Sequence, residues 1–470
     1  MLIARDRELA TLNRLYTKRG FQFPVVYGRR RVGKTYLMAE FTRNLPCVFF
    51  TAVENSASVN LRNLSREIYA FEHPDSDPSS APLFTDFQTA FEAVFGLARS
   101  RRLVFVIDEY PYLAKADPSV SSVLQALIDR GKDESQLYLM LCGSSLSFMK
   151  EQVLGEKSPL YGRRTAQLEL RPLDYLDASR FFPSSAPEEA ACYYGIAGGI
   201  PLYLEQFEDG ALLLENIEQA YLQPDAFLFE EPINLLKQEV QKAPLYNSVM
   251  EAIAEGKTGN NEIATTVGVS PAELAYYLKE LQRIGLIEKE RPIVDSGRRV
   301  AYKLSDNLFR FWYRFVAPYR SSVERHILTR VLGAIERYLP DYMGFVFEDM
   351  CRQWAWRCNA KETASVEFDR IGRWWGGDPV KKTEAEIDLV GTIGGEVTLL
   401  GEAKWRNEPT GERIARELKE KGALLNRSES AQRYLFSKSG FTDACADLAE
   451  RDARLHLVTL DDLYAPELGE

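Results

Sequence analysis

The chain has 470 residues, 45% of them apolar and 27% charged, with a formal net charge of −10. That length exceeds one hydrophobic core and implies roughly two to four compact units. The composition excludes a fibrous repeat and long disordered tracts, and the acidic balance excludes coating of nucleic acid by bulk charge attraction, leaving only local basic sites.

At the N-terminus charge arrives at Arg5-Asp6-Arg7, so no apolar signal core forms there. The longest apolar runs, such as 103–107 and 137–142, have the length of strands and fall far short of a membrane helix. Six scattered cysteines (Cys47, Cys142, Cys192, Cys351, Cys358, Cys445) form no CxxC pair and match no histidine cluster, which disfavours a disulfide framework and a zinc site. The expectation is a cytoplasmic protein that engages no membrane.

From Arg5 to about Leu176, short apolar runs at 24–27, 47–51, 103–107, 137–142 and 167–170 alternate with helical stretches. That rhythm predicts an α/β fold with a parallel sheet, interrupted by a solvated loop at 73–82. The first run leads straight into Gly28-Arg29-Arg30-Arg31-Val32-Gly33-Lys34-Thr35 and then into a helix, the context a GxxxxGK[ST] P-loop requires. Such a loop surrounds phosphate oxygens with backbone N–H groups at a helix N-terminus, so the eight residues are the expected ATP site. Lys34 is assigned to the β and γ phosphates and Thr35 to Mg2+.

The run at 103–107 ends in Asp108-Glu109, two carboxylates delivered to the sheet edge beside the phosphates. Asp108 suits magnesium, and Glu109 suits polarising the attacking water. Arg163 and Arg164 precede the last strand and offer either an arginine for a phosphate or ordinary surface salt bridges.

Beyond residue 171 the pattern turns helical over 172–240, broken at Gly198-Gly199-Ile200-Pro201, which predicts a helical lid. Residues 241–320 read as a winged helix and a connecting helix: three helices, then two strands around Asp295-Ser296-Gly297. The second helix of a DNA reader normally offers basic or amide groups at its start, and here Ser270-Pro271-Ala272-Glu273 offers an acid. An internal or protein-contacting role is therefore preferred to sequence-specific DNA binding, with Arg298 and Arg299 in the wing available for backbone contact.

The last unit, 321–470, has its α/β part from about Pro340 onward, with strands near 386–392, 397–404, 433–437 and 455–459. Asp388 and Gly401-Glu402-Ala403-Lys404 flank a turn expected at 391–395. Alternation places Glu402 and Lys404 on one face, and the turn brings Asp388 across from them. Asp388 and Glu402 can hold a metal ion while Lys404 stabilises charge on a phosphodiester, and Glu348 can add an acid from an upstream helix. The same residues on neighbouring strands also suit an exposed salt-bridge face.

Taken together, Arg5-Asp6-Arg7-Glu8-Leu9, the P-loop, Asp108-Glu109, Leu141-Cys142-Gly143-Ser144-Ser145 and Gly199-Ile200-Pro201 resemble the P-loop ATPases of the AAA+ and STAND group, and within it the archaeal-type ATPase family. The resemblance spans the whole chain. It implies that Ser144 or Ser145 is the polar sensor near the γ-phosphate and that Pro201 belongs to the nucleotide site. It also implies a C-terminal domain similar to the PD-(D/E)XK restriction-endonuclease fold, with Glu348, Asp388, Glu402 and Lys404 at its motif positions. Three functions follow as expectations: an ATPase controlling a nuclease that acts on DNA or RNA, a regulatory ATPase switch with an inert C-terminal binding module, or a DNA-binding regulator.

Overall fold

The computed structural model describes residues 3–240, 242–294, 297, 299–361, 367–465 and 468. The chain divides into two compact units, Met1–Pro172 and Leu173–Glu470. Asp295, Ser296 and Arg298 of the expected wing lie outside the described residues.

The first unit is built on strands β1 (Pro24–Gly28), β2 (Cys47–Thr51), β3 (Leu103–Asp108), β4 (Leu137–Gly143) and β5 (Ala166–Leu170). They form one parallel sheet in the order β2-β3-β4-β1-β5. Strands β1, β3 and β4 are buried at every residue, which is why they read as unbroken apolar runs rather than alternating ones. One face packs on the helices Ala57–Glu72, Phe87–Leu97 and Val120–Gly131 through Leu64, Phe91, Leu124, Phe105 and Leu139. On the other face, Tyr16 and Phe41 pack their rings on Tyr138 at 5.9 and 5.3 Å. Because β4 lies between β1 and β3, three strand ends converge: the P-loop, Ser144 and the Asp108-Glu109 pair.

The second unit starts with short helices, among them Pro187–Ala197, which ends at Gly198 with φ 70°, as the glycine break predicts. The helices Ala243–Ala254, Asn260–Val267 and Pro271–Arg283 are followed by the antiparallel pair β6 (Ile287–Glu290) and β7 (Ala301–Leu304). The aromatic segment after them buries Trp312, whose Nε1 donates to Phe229 O at 2.8 Å. A single helix, Thr329–Ala360, then runs for 32 residues with Pro340 inside it. Pro340 is therefore not an element boundary, in contrast to the expectation that the α/β part opens there.

The remaining strands are β8 (Arg370–Asp378), β9 (Thr383–Ile393), β10 (Glu396–Lys404), β11 (Gln432–Ser437) and β12 (Leu455–Thr459), in the order β12-β11-β10-β9-β8. β8, β9 and β10 form an antiparallel meander, and β10, β11 and β12 run parallel. Sequence periodicity missed β8, whose Gly372, Gly376 and Gly377 and adjacent tryptophans Trp374 and Trp375 break any two-residue alternation. The β9–β10 turn is tighter than expected, with Gly394 and Gly395 at φ 57° and 86°, so that β9 continues to Ile393. Helix Thr329–Ala360 covers one sheet face, setting Trp354 against Tyr434 and Phe436, and helix Glu412–Gly422 packs Ile414 and Leu418 against Val390, Leu400 and Leu435 on the other.

Candidate functional sites

In the first unit the end of β1 passes so close to β5 that a side chain at Gly28 would collide with the Leu170 carbonyl. The glycine that opens the P-loop is thus also demanded by strand packing. Arg31 and Gly33 take φ values of 68° and 91°, which turn the loop before the helix Lys34–Thr42 begins. Val32 is fully buried, and the Arg5 guanidinium donates to its carbonyl at 3.2 Å and to that of Arg171 at 2.7 Å. Arg5, just ahead of the helix Asp6–Thr17, therefore fastens the loop from 27 residues upstream. Arg30 donates to the Tyr112 hydroxyl at 3.0 Å.

Lys34 is only 5% exposed, and its Nζ donates to Arg29 O at 2.9 Å. Burial pushes its pKa down, opposed by the Glu109 and Asp108 carboxylates nearby. Thr35 Oγ1 donates to Asp108 Oδ2 at 2.9 Å, and the Glu109 N–H donates to Asp108 Oδ1 at 2.9 Å. Glu109 sits at φ 50°, a left-handed conformation that turns its side chain from the strand toward β4. There its Oε2 accepts from the Ser144 hydroxyl at 2.8 Å and the Ser144 N–H at 3.3 Å. Ser145 shares a 3.4 Å hydroxyl contact with Ser147 instead.

Arg163 makes a two-pronged pair with Asp129, at 2.8 and 2.6 Å, and Arg164 donates to Leu154 O at 3.2 Å. Pro201 occupies the first turn of the short helix Pro201–Leu204 in the second unit. Beside it, Gly199 is required because any side chain there would run into the backbone of Leu173, whose N–H donates to Gly199 O at 2.7 Å.

In the second sheet, Gly372 and Trp374 of β8 pair with Val390 and Ile387 of β9, so β9 carries one extra residue opposite Arg373. This bulge falls at Asp388 and Leu389, and bulges re-aim side chains. Asp388 Oδ2 accepts from the Ala403 N–H at 2.9 Å. Lys404 Nζ lies 2.9 Å from Glu402 Oε1 and 3.7 Å from Asp388 Oδ2, which brings the three sequence-predicted residues together.

Two features went beyond the sequence reading. Lys421, from the next helix, donates to both Glu402 oxygens at 3.0 Å, so Glu402 is held by two lysines. One carboxylate oxygen from each of Glu348, Glu386 and Asp388 lies within 4.8 Å of the other two. Glu386 was visible two residues before Asp388, whereas nothing in the spacing marks Lys421. Burial and then the Asp388 charge push the Glu348 pKa up, and burial and then Glu402 push Asp388 up. Both shifts signal carboxylates crowded away from water.

Residues 2–207 match a family described as an ATPase domain predominantly from Archaea. Residues 312–420 match a second, DUF234, described as archaea bacterial proteins of unknown function. The uncharacterized protein MJECL04 of Methanocaldococcus jannaschii is 31% identical over 439 residues, covering 92% of this chain and 94% of that protein. Among solved structures, the Walker-type ATPase PABY2304 of Pyrococcus abyssi aligns over 67% of this chain and 96% of its own, at 19% identity and a TM-score of 0.48. The Aeropyrum pernix ORC2 protein, solved as ADPNP-ADP complexes, aligns over 72% and 95%, at 13% identity and a TM-score of 0.44. Among the described residues no helix is long and apolar enough to cross a membrane. With its ATPase domain, its DUF234 region and a relative matched over nearly its whole length, the chain belongs to the archaeal-type ATPase family.

Proposed function

We propose that this ATPase is magnesium-dependent and that its nucleotide state governs a C-terminal, metal-dependent phosphodiesterase acting on DNA or RNA. The observation that carries the first half is the 2.9 Å contact of Thr35 Oγ1 with Asp108 Oδ2, with Glu109 next in the chain. A hydroxyl and a carboxylate oxygen fit a hard cation, so Thr35 and Asp108 would hold the magnesium. Magnesium held there would supply charge neutralisation at the phosphates. Lys34 exchanges the Arg29 carbonyl for phosphate, and Glu109 orients the attacking water. Ser144, already bonded to Glu109, is the polar group nearest that water.

The second half rests on Asp388, Glu402 and Lys404 meeting at the bulged end of β9 and β10. The order of helix, antiparallel meander, helix and parallel strand supports the PD-(D/E)XK reading. Asp388 with Glu402 or Glu348 would hold the metal, which supplies charge neutralisation and an activated water. Lys404 donates to a phosphate oxygen as charge develops there. The helices and hairpin from Ala243 to Leu304 act as a winged helix that contacts a protein.

A second reading, an inert C-terminal binding module, is favoured by one observation: Lys404 and Lys421 already ion-pair with Glu402. One set of assays separates the two, namely MgATP hydrolysis and Mn2+-dependent nucleic-acid cleavage by wild type, Lys34→Ala and Asp388→Ala. The first reading expects Lys34→Ala to lose hydrolysis and Asp388→Ala to lose cleavage with ATP binding intact. Absence of cleavage of every DNA and RNA tried, with or without ATP, would sink it.

A further inference from the structure

The acidic cluster next to Asp388 is threaded by a cation of the chain itself. Arg373 projects from β8 opposite the bulge, ion-pairs with Glu386 and lies 3.7 Å from Glu348 Oε2. Its other nitrogen, Nη1, lies 3.5 Å from Glu290 Oε2 at the end of β6. The guanidinium thus bridges two anionic stations, the carboxylates around Asp388 and the hairpin. Glu290 is also paired with Lys303 at 2.8 Å. Burial opposes its charge, but Lys303 and Arg373 together hold its carboxyl below the usual range. The segment after β6 is docked on the same strand, with the Ile293 N–H donating to Arg373 O at 3.0 Å.

Room to move lies alongside. A cavity of about 320 Å³ is lined by Arg373, Glu348, Arg352, Lys303 and Tyr302, so the guanidinium can leave the carboxylates without entering packed core. Electrostatics decides what would displace it. A divalent cation carries twice the charge of a guanidinium and takes carboxylate oxygens at shorter range, while like charges at these distances repel strongly. Metal and Arg373 cannot both occupy the Glu348–Glu386 face at full strength.

We propose that Arg373 sets the metal affinity of the C-terminal site by acting as a resident counter-cation, which a divalent metal displaces toward Glu290 of the β6–β7 hairpin. The inference rests on the metal-dependent reading of Asp388 given above. It makes the hairpin part of the site's control: whatever draws Arg373 toward Glu290 opens the carboxylates, and whatever removes Glu290 closes them.

The test is Mn2+ titration of the full-length, nucleotide-free chain, followed by the EPR signal of free Mn2+. Arg373→Gln binds Mn2+ at least about tenfold tighter than wild type, the change that about 1.4 kcal/mol makes. Glu290→Gln binds it several-fold more weakly, because Arg373 then rests wholly on Glu348 and Glu386. Arg373→Lys stays near wild type. A merely structural arginine predicts the reverse for Arg373→Gln, so affinity equal to or weaker than wild type in a folded variant overturns the proposal. If Arg373→Gln does not fold, Glu290→Gln decides, and unchanged or tighter binding overturns it. Adding Asp388→Asn to Arg373→Gln removes the tight site, and its survival overturns the assignment. Mn2+ binding that ignores Arg373 but is lost in Asp388→Asn removes this inference alone, whereas no binding by wild type or Arg373→Gln removes the metal-dependent reading with it.

Discussion

On the proposed reading Glu109 is the residue on which hydrolysis turns, and its left-handed backbone and its bond from Ser144 fix where its carboxylate sits. Glu109→Gln keeps that shape and removes the negative charge. The expected outcome is MgATP hydrolysis slowed by about 10²- to 10³-fold with nucleotide affinity within about threefold of wild type, read from steady-state phosphate release and calorimetry. A second residue-scale prediction concerns Asp349, which pairs with Lys303, Arg310 and Arg352 at the cavity wall. Burial pushes its carboxyl up, yet these three cations outweigh burial and hold it well below the ordinary value. A depressed folded pKa gives stability that is present above the unfolded value of about 3.9 and lost as pH falls toward the folded one. With a side chain 22% exposed, Asp349→Asn should cost about 2–3 kcal/mol at pH 7. Thermal melts should show the gap between variant and wild type shrinking as pH drops below about 4.

At the scale of elements, glycines decide more than flexibility. Gly199 lets the chain pass against the Leu173 backbone, and Gly28 lets β1 lie against β5. Gly199→Ala is expected to destabilise the second unit by about 1–3 kcal/mol and to leave the P-loop unit's nucleotide affinity unchanged, measured by denaturant unfolding alongside ATP-analogue titration. Of the predicted strands of the first unit, β1, β3 and β4 match those found because fully buried parallel strands are continuous apolar runs. β8 escaped because its glycines and paired tryptophans serve an edge strand opposite the β9 bulge rather than an alternating one. The α/β part was expected to open at about Pro340, whereas tertiary packing of Val331, Ile335, Met343, Val346 and Phe347 carries helix Thr329–Ala360 through that proline.

For the whole molecule, the division at Pro172 carries its own prediction. A fragment of residues 1–172 holds a complete sheet with the P-loop, Asp108, Glu109 and Ser144. It should fold cooperatively and bind an ATP analogue within about tenfold of the full chain; a fragment that melts without a cooperative transition would show that the second unit is needed for the core. The sequence by itself determined the nucleotide chemistry, because a P-loop is contiguous: the residues that surround phosphate are neighbours in the chain, and their spacing is the site. It also placed Asp388, Glu402 and Lys404 together, since a hairpin is nearly as local. Only the tertiary structure decided what surrounds them. Arg5 on Val32, Lys421 on Glu402, and Arg373 between Glu386 and Glu290 join residues from 13 to 83 positions apart. No pattern of nearest neighbours encodes such a pair, because a long side chain finds its partner through the packing of the elements that carry it.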